Sequence, residues 1–277
     1  MTPPDARPAR PAAEWSIPHP QRVTVERSAR RTLHSEGATR VWSPPREPYA
    51  VGGPPGGVLA RADSLDGVPH DVSWDEYNAH QLGRRPRPSL DMALDAVGPS
   101  MSADMSGAPT EGRIAVDLGC GEGVEVTALL EQGWTVHAVD GEPEALRRLA
   151  ERTPAEHAGR LHIHHRAYAE IDALPDADLV HSSYALPYCA PEHFPTVWSA
   201  VRAALRPGAV LACQLFGPHD TSFGDAEMTF HSADQARALL DGLEIVHWDE
   251  EDADGTAYTG PKHWHVFHVV ARRPAEA

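Results

Sequence analysis

Cysteine is scarce in this chain. Three residues in 277, Cys120, Cys189 and Cys213, show no paired spacing, which excludes a disulfide framework and a zinc signature. They read as small buried fillers. Long apolar runs are missing too: none approaches the roughly 20 residues that cross a bilayer. The opening Met1-Thr-Pro-Pro-Asp-Ala-Arg7 lacks the apolar core of a secretory leader. A soluble, cytoplasmic protein with no membrane partner is expected. Positive charge is the third shortage, with 24 Lys and Arg against 40 Asp and Glu, a net charge of −16. Residues 1–72 hold 9 basic and 8 acidic residues, and the remainder holds 15 and 32. The acidic excess therefore lies wholly after position 72, and such a surface repels phosphate backbones, which argues against nucleic acid.

Residues 1–72 also lack periodic apolar positions. Pro44-Pro45, Pro48 and Gly52-Gly-Pro-Pro-Gly-Gly57 interrupt any regular element. A segment of this kind buries too little surface to offset its ordering entropy, so a mostly disordered arm is expected, with Val23–Val25 and Arg40–Trp42 as short strands or docking segments. One folded domain is expected over 73–277.

The chain is organised around Arg113-Ile-Ala-Val-Asp-Leu-Gly-Cys-Gly-Glu-Gly-Val124. Ile114, Val116 and Leu118 give a buried strand, and Asp117 stands just before the turn. Gly119, Gly121 and Gly123 permit a tight turn and a ligand approach without a Cβ in the way. A second apolar run, Trp134–Val139, closes with Asp140. That distance suits a strand–turn–helix–strand unit whose acid reaches a ribose diol. The spacing is Gly-x-Gly-x-Gly, unlike the Gly-x-Gly-x-x-Gly of dinucleotide sites, and no basic residue stands in the loop to meet a pyrophosphate.

With Asp117-Leu-Gly-Cys-Gly-Glu-Gly123 and Asp140 together, the chain resembles the class I S-adenosylmethionine-dependent methyltransferases. The resemblance covers about residues 74 to 273. It implies an α/β fold: a doubly wound, seven-stranded, mainly parallel sheet, Rossmann-like, whose last strand is antiparallel and inserted beside the fifth. It implies S-adenosylmethionine as cofactor, held by Asp117, Gly119, Cys120, Gly121, Gly123, Asp140 and Gly141. Adenine would lie near Ala167 and Tyr168; the acid usual at that strand end is replaced by Arg166-Ala-Tyr168. A helix before the first strand would cover the cofactor, with Tyr77, His80 and Arg84 bordering the pocket.

The rest of the chain alternates accordingly. Helices are expected over about 75–80, over Leu90–Val97 behind a Ser89 cap, and to about Gln132 with Val124, Thr127, Ala128 and Leu130 on the sheet. Others follow over Pro143–Arg152, Phe194–Leu205 and Ala233–Leu240. Strands are expected over Leu161–His165, Ala177–Ser183, Ala209–Phe216 after an Arg206-Pro-Gly208 helix stop, Leu243–Trp248 and Lys262–Ala271. Asp249–Gly255 reads as an acidic, solvated hairpin turn. The C-terminal features are similar to those of a narrower group, the tellurite-resistance methyltransferases.

Ser182, Ser183, Tyr184 and Tyr188 lie at the end of the fourth strand, where an acceptor would meet the methyl group, and Ser183 is also expected to bind the cofactor. Tyr184, His231 and His265 are the candidate catalytic residues, histidine because it titrates near neutral pH. His162 and His164 share a strand face, but without further ligands nearby no metal is expected. The expected activity is methyl transfer to a small-molecule acceptor, by a monomer or homodimer. A nicotinamide-dependent oxidoreductase and a non-catalytic S-adenosylmethionine-binding protein remain open alternatives.

Overall fold

The computed structural model describes residues 73–98 and 112–275. The arm expected over 1–72 lies outside the described residues. Two short helices come first, α1 (Trp74–His80) and α2 (Pro88–Val97). The alternating part follows: β1 (Ile114–Leu118), α3 (Val124–Glu131), β2 (Thr135–Asp140), α4 (Pro143–Arg152), β3 (Leu161–His165), β4 (Ala177–Ser182), α5 (Phe194–Ala204) and β5 (Leu205–Phe216). Helix α6 (Ala233–Ala238) and a long hairpin, β6 (Glu244–Ala257) with β7 (Gly260–Arg272), complete it.

The sheet order is β3-β2-β1-β4-β5-β7-β6. Strands β1 to β5 pair in parallel, and β7 enters antiparallel between β5 and β6. This is the expected doubly wound, mainly parallel sheet, with its last strand antiparallel beside the fifth. Alternation along each strand sends successive side chains to opposite faces. Val116, Val180, Leu211 and Phe267 pack with Phe194, Val197 and Trp198 of α5. Ala115, Leu179 and Val210 pack on the other face with Leu90 of α2, Leu129 of α3 and Leu146 and Leu149 of α4. Both faces are covered, so the parallel strands read as near-continuous apolar runs. All three cysteines are free and buried.

Four local expectations need correction. Pro88 occupies the first turn of α2 and Arg87 its cap, so the helix starts before the expected Ser89 cap and Ser89 is buried inside it. On α3 the buried residues are Glu125, Val126, Leu129 and Leu130, while Thr127 is exposed. The turn Arg206-Pro-Gly208 belongs to β5, where the Gly208 N–H donates to the Arg273 carbonyl. The acidic run Asp249–Gly255 is strand, not turn; the chain reverses at Tyr258-Thr259.

That acidic run has a cross-strand reason to be extended. On β7, His268 Nε2 lies 3.1 Å from Glu251, His265 Nε2 3.1 Å from Glu250, and His263 2.8 Å from Asp252 and 2.7 Å from Asp254. Strand β6 is the sheet edge, and its carboxylates also discourage pairing with another chain. At the opposite edge His137 of β2 stacks between His162 and His164 of β3, with centroids 4.7 and 5.2 Å away. Burial, and then the neighbouring imidazoles, lower the His137 pKa to about 4, so the ring is neutral at pH 7.

The carboxylates of Asp254 and Asp252 raise the His263 pKa above its ordinary 6.5. A raised imidazole pKa contributes stability that is fully present below pH 6.5 and lost as the pH rises through the raised value. In a proton NMR titration the His263 ring should titrate above pH 6.5, and Asp254→Asn should bring it back toward that value. A wild-type midpoint at or below 6.5 would contradict the pairing.

Candidate cofactor and acceptor site

The site forms where the C-terminal ends of β1, β2 and β4 meet α1. Val139 at the end of β2 accepts the N–H groups of Gly119 and Cys120 through its carbonyl, at 2.8 and 3.1 Å. Asp140 then takes the Gly121 N–H at 2.7 Å on one carboxylate oxygen and the Glu142 N–H at 2.8 Å on the other. Burial raises the Asp140 pKa, against the pull of these two donors. Gly119 has φ +72°, and a Cβ there would lie 2.2 Å from the Ala185 Cβ. Gly123 has φ +71°, and its Cβ would lie 2.5 Å from Leu149. Gly123 is therefore fixed by packing on α4; it lines no chamber.

A cavity of about 320 Å³ opens beside this turn. Asp140, Gly141, Glu142, Arg166, Ala167 and Tyr168 line one part. Trp74, Tyr77, Tyr184 and Tyr188 line another, and Gly119 and Ser183 are also at its wall. A smaller polar chamber of about 50 Å³ is lined by Asp117, Cys120, Gly121, Asn78, Arg84 and Glu125, among others. Tyr77, Asn78, Gly119 and Ser183 belong to both. Asp117 Oδ2, Arg84 Nε, Arg87 Nε and Ser183 Oγ are buried around the smaller chamber without hydrogen-bond partners among the described residues. Buried polar groups are normally satisfied, so this chamber is built to receive a polar ligand.

Charges set the walls. Glu125, on the first turn of α3, takes both Arg84 guanidinium nitrogens at 2.5 and 2.7 Å and the Arg87 N–H at 3.1 Å. Burial would raise its carboxyl, but those donors outweigh it and hold the pKa at about 2. Glu122, in the glycine turn, is buried against Arg148 at 2.6 Å and Arg152 at 2.7 Å. Arg148 also reaches Asp75 of α1 at 2.6 Å. These pairs fasten α1 and the segment after it over the turn. Under them Asp117 bonds His181 Nδ1 at 2.9 Å, both groups fully buried, and the carboxylate raises the affinity of His181 for its proton against the effect of burial.

The structure sorts the sequence candidates. Asp117, Gly119, Cys120, Gly121, Asp140, Gly141, Ala167, Tyr168, Ser183 and Tyr184 all line one chamber or the other. His80 does not; its ring rests against Tyr258 at 5.1 Å. His231 and His265 line neither. His231 packs on Phe194 at 4.8 Å, and burial lowers its pKa to about 4, which makes it a weak base. His265 is buried, accepting the His219 N–H at 3.0 Å on Nδ1 and facing Glu250 on Nε2. His219, Asp252 and His265 bring three ligand-type atoms within 4.8 Å of one another. The backbone bond on Nδ1 leaves the proton of a neutral His265 on Nε2, so the ring offers a cation no spare lone pair. Asn78, Glu122, Glu125 and Trp74 were missed; Gly121, Arg148, Arg84 and Tyr188, which they meet, stand far away in the sequence.

Tyr184 is the one non-glycine residue with positive φ among the described residues, at +54°. Its N–H donates to Gln214 Oε1 at 3.0 Å, and the Arg87 guanidinium lies 4.5 Å above its ring. Left-handed backbone at a bulky residue stores strain, which the Gln214 bond and the ring's packing sustain.

Residues 115–208 match the sequence family described as a methyltransferase domain. That stretch is about a third of the chain. The chain's fold is similar to that of TehB from Haemophilus influenzae, with TM-score 0.55 and 14% identity over 73% of this chain and 67% of that one. It is similar as well to an S-adenosylmethionine-dependent methyltransferase of Methanosarcina mazei, with TM-score 0.50 and 18% identity over 70% of this chain and 100% of that one. A methyltransferase of Mesorhizobium loti gives TM-score 0.50 and 18% identity over 67% and 96%. No curated protein matches this chain.

Arg84→Met should lower the unfolding free energy at pH 7 by about 3–5 kcal/mol, because it leaves Glu125 charged, buried and unpaired. Wild-type Glu125 contributes stability above its unfolded pKa and loses it as the pH falls toward 2; the unpaired acid instead protonates readily. The gap between the two proteins in urea unfolding should therefore shrink from pH 7 to pH 5. An equal gap at both values would contradict the assignment.

Proposed function

We propose that this methyltransferase domain passes the methyl group of S-adenosylmethionine to a small-molecule acceptor. The observation that carries the proposal is the glycine turn anchored on Asp140 beside a polar chamber whose buried atoms lack partners. S-adenosylmethionine supplies a methyl group made electrophilic by its sulfonium. The residues suit the parts of that molecule. Each Asp140 oxygen has accepted one N–H and keeps a lone pair for a vicinal diol. Asp117 and Glu125 face the small chamber together with Arg84 and Arg87, a charge pattern complementary to the ammonium and carboxylate of an amino acid. Ala167, Tyr168 and Ile171 offer an apolar wall for a flat base.

In this reading Trp74, Tyr77 and Tyr188 shield the reaction from water, and Tyr184, on its strained turn, orients the acceptor. No histidine or lysine stands among the residues lining either chamber. The acceptor is then a nucleophile that needs little help in losing its proton. The acidic surface disfavours nucleic acid as substrate. Placement in the cytoplasm and a monomer or homodimer complete the proposal. The glycine spacing speaks against a nicotinamide coenzyme.

The purified chain should convert S-adenosylmethionine to S-adenosylhomocysteine when given a mixed set of phenols, heteroaromatic amines and thiols, read by mass spectrometry. Asp140→Ala should lower kcat/KM about 10- to 100-fold, the loss expected of one or two charge-assisted hydrogen bonds. Bound cofactor with no product from any acceptor would leave only the non-catalytic reading.

A further inference from the structure

The mouth of the larger cavity is aromatic. Trp74 is 46% exposed, Tyr188 38% and Tyr258 41%, and together they account for three of the seven large apolar residues exposed among those described. The rings form one band. Trp74 meets Tyr188 at 4.9 Å and Tyr77 at 5.7 Å, with interplanar angles of 83° and 88°. Tyr77 meets Tyr258 at 5.8 Å and 83°. Edge-to-face contact covers one ring edge and one ring face per pair, and so leaves other faces open to a third ring. The band is continuous with the cofactor cavity, because Trp74, Tyr77 and Tyr188 line both.

Arg166 is the one basic residue among those lining the larger cavity, and the cations around it are turned to other groups. Arg84 is taken by Glu125. Lys262 is 10% exposed, pairs with the fully buried Asp220 and lies 4.8 Å over the Trp264 ring. Arg87 sits over the ring of Tyr184. A hydrated oxyanion entering here would shed its water and find aromatic faces in return, an unfavourable exchange. A flat aromatic molecule would bury apolar area and stack.

From this we infer that the acceptor is a planar aromatic molecule, with its nucleophilic oxygen or nitrogen at the ring edge, held in the larger cavity against the rings of Trp74, Tyr77, Tyr184 and Tyr188. The inference rests on the methyltransferase reading and narrows it. It sets this chain apart from the oxyanion chemistry suggested by the narrower sequence resemblance. It also fits the absence of histidine and lysine from the chamber walls, since phenols and ring nitrogens need no strong base.

The test uses the full chain saturated with S-adenosylhomocysteine and follows tryptophan fluorescence. Titrants are 2-naphthol, its non-planar saturated counterpart decahydro-2-naphthol, and potassium tellurite. The expected result is saturable binding of 2-naphthol at least about tenfold tighter than the saturated alcohol, and none of tellurite. Trp74→Ala or Tyr188→Ala should weaken 2-naphthol about tenfold, with cooperative urea unfolding of each variant, read by far-UV circular dichroism, as the control for folding. Equal affinity for the flat and puckered alcohols, unchanged 2-naphthol affinity in both variants, or competition by tellurite would overturn the inference. So would a lack of 2-naphthol binding. In each of these cases S-adenosylhomocysteine still binds and the methyltransferase reading stands; failure of the wild-type chain to bind S-adenosylhomocysteine would bring down both.

Discussion

The carboxylate of Asp140 joins two strands of argument in this molecule. It sits at the end of β2, takes the Gly121 N–H on one oxygen and the Glu142 N–H on the other, and so fastens the glycine turn to the neighbouring strand. With the Val139 carbonyl holding Gly119 and Cys120, the turn is tied to β2 through three of its own backbone donors. The same acid faces the larger cavity. A residue that shapes the loop and also presents lone pairs to a ligand makes local folding and binding depend on one group.

Around this anchor a set of buried ion pairs closes the site from above. Glu122 and Glu125 are almost fully buried, which would be costly for lone charges, and each is matched by arginine. Arg148 links Asp75 on α1 to Glu122 in the turn, and Arg84 links the segment after α1 to α3. Helix α1 is only seven residues long and would not persist by itself. Its position over the cavity comes from these pairs and from the rings of Trp74 and Tyr77.

The order of elements was readable because the parallel strands are covered on both faces and so appear as short apolar runs between amphipathic helices. The glycine turn and Asp140 were readable because their spacing is local. Three other features were not. The acidic run in β6 looks like a turn, since Asp, Glu and Gly disfavour strands; only the facing histidines of β7 explain its extended form. Glu125 looks like an ordinary surface acid, because Arg84 stands 41 positions away. Among seventeen histidines, nothing in the sequence separates His231 and His265, which the fold encloses away from the chambers, from a residue that could meet a ligand.

The central claim is that the chamber anchored on Asp140 accepts S-adenosylmethionine and its product rather than a dinucleotide. Calorimetric titration of the purified chain with S-adenosylhomocysteine, and separately with NAD, addresses it most directly. The account predicts saturable binding of one S-adenosylhomocysteine per chain and no heat of binding from NAD. Saturable NAD binding, or silence from both, would contradict it.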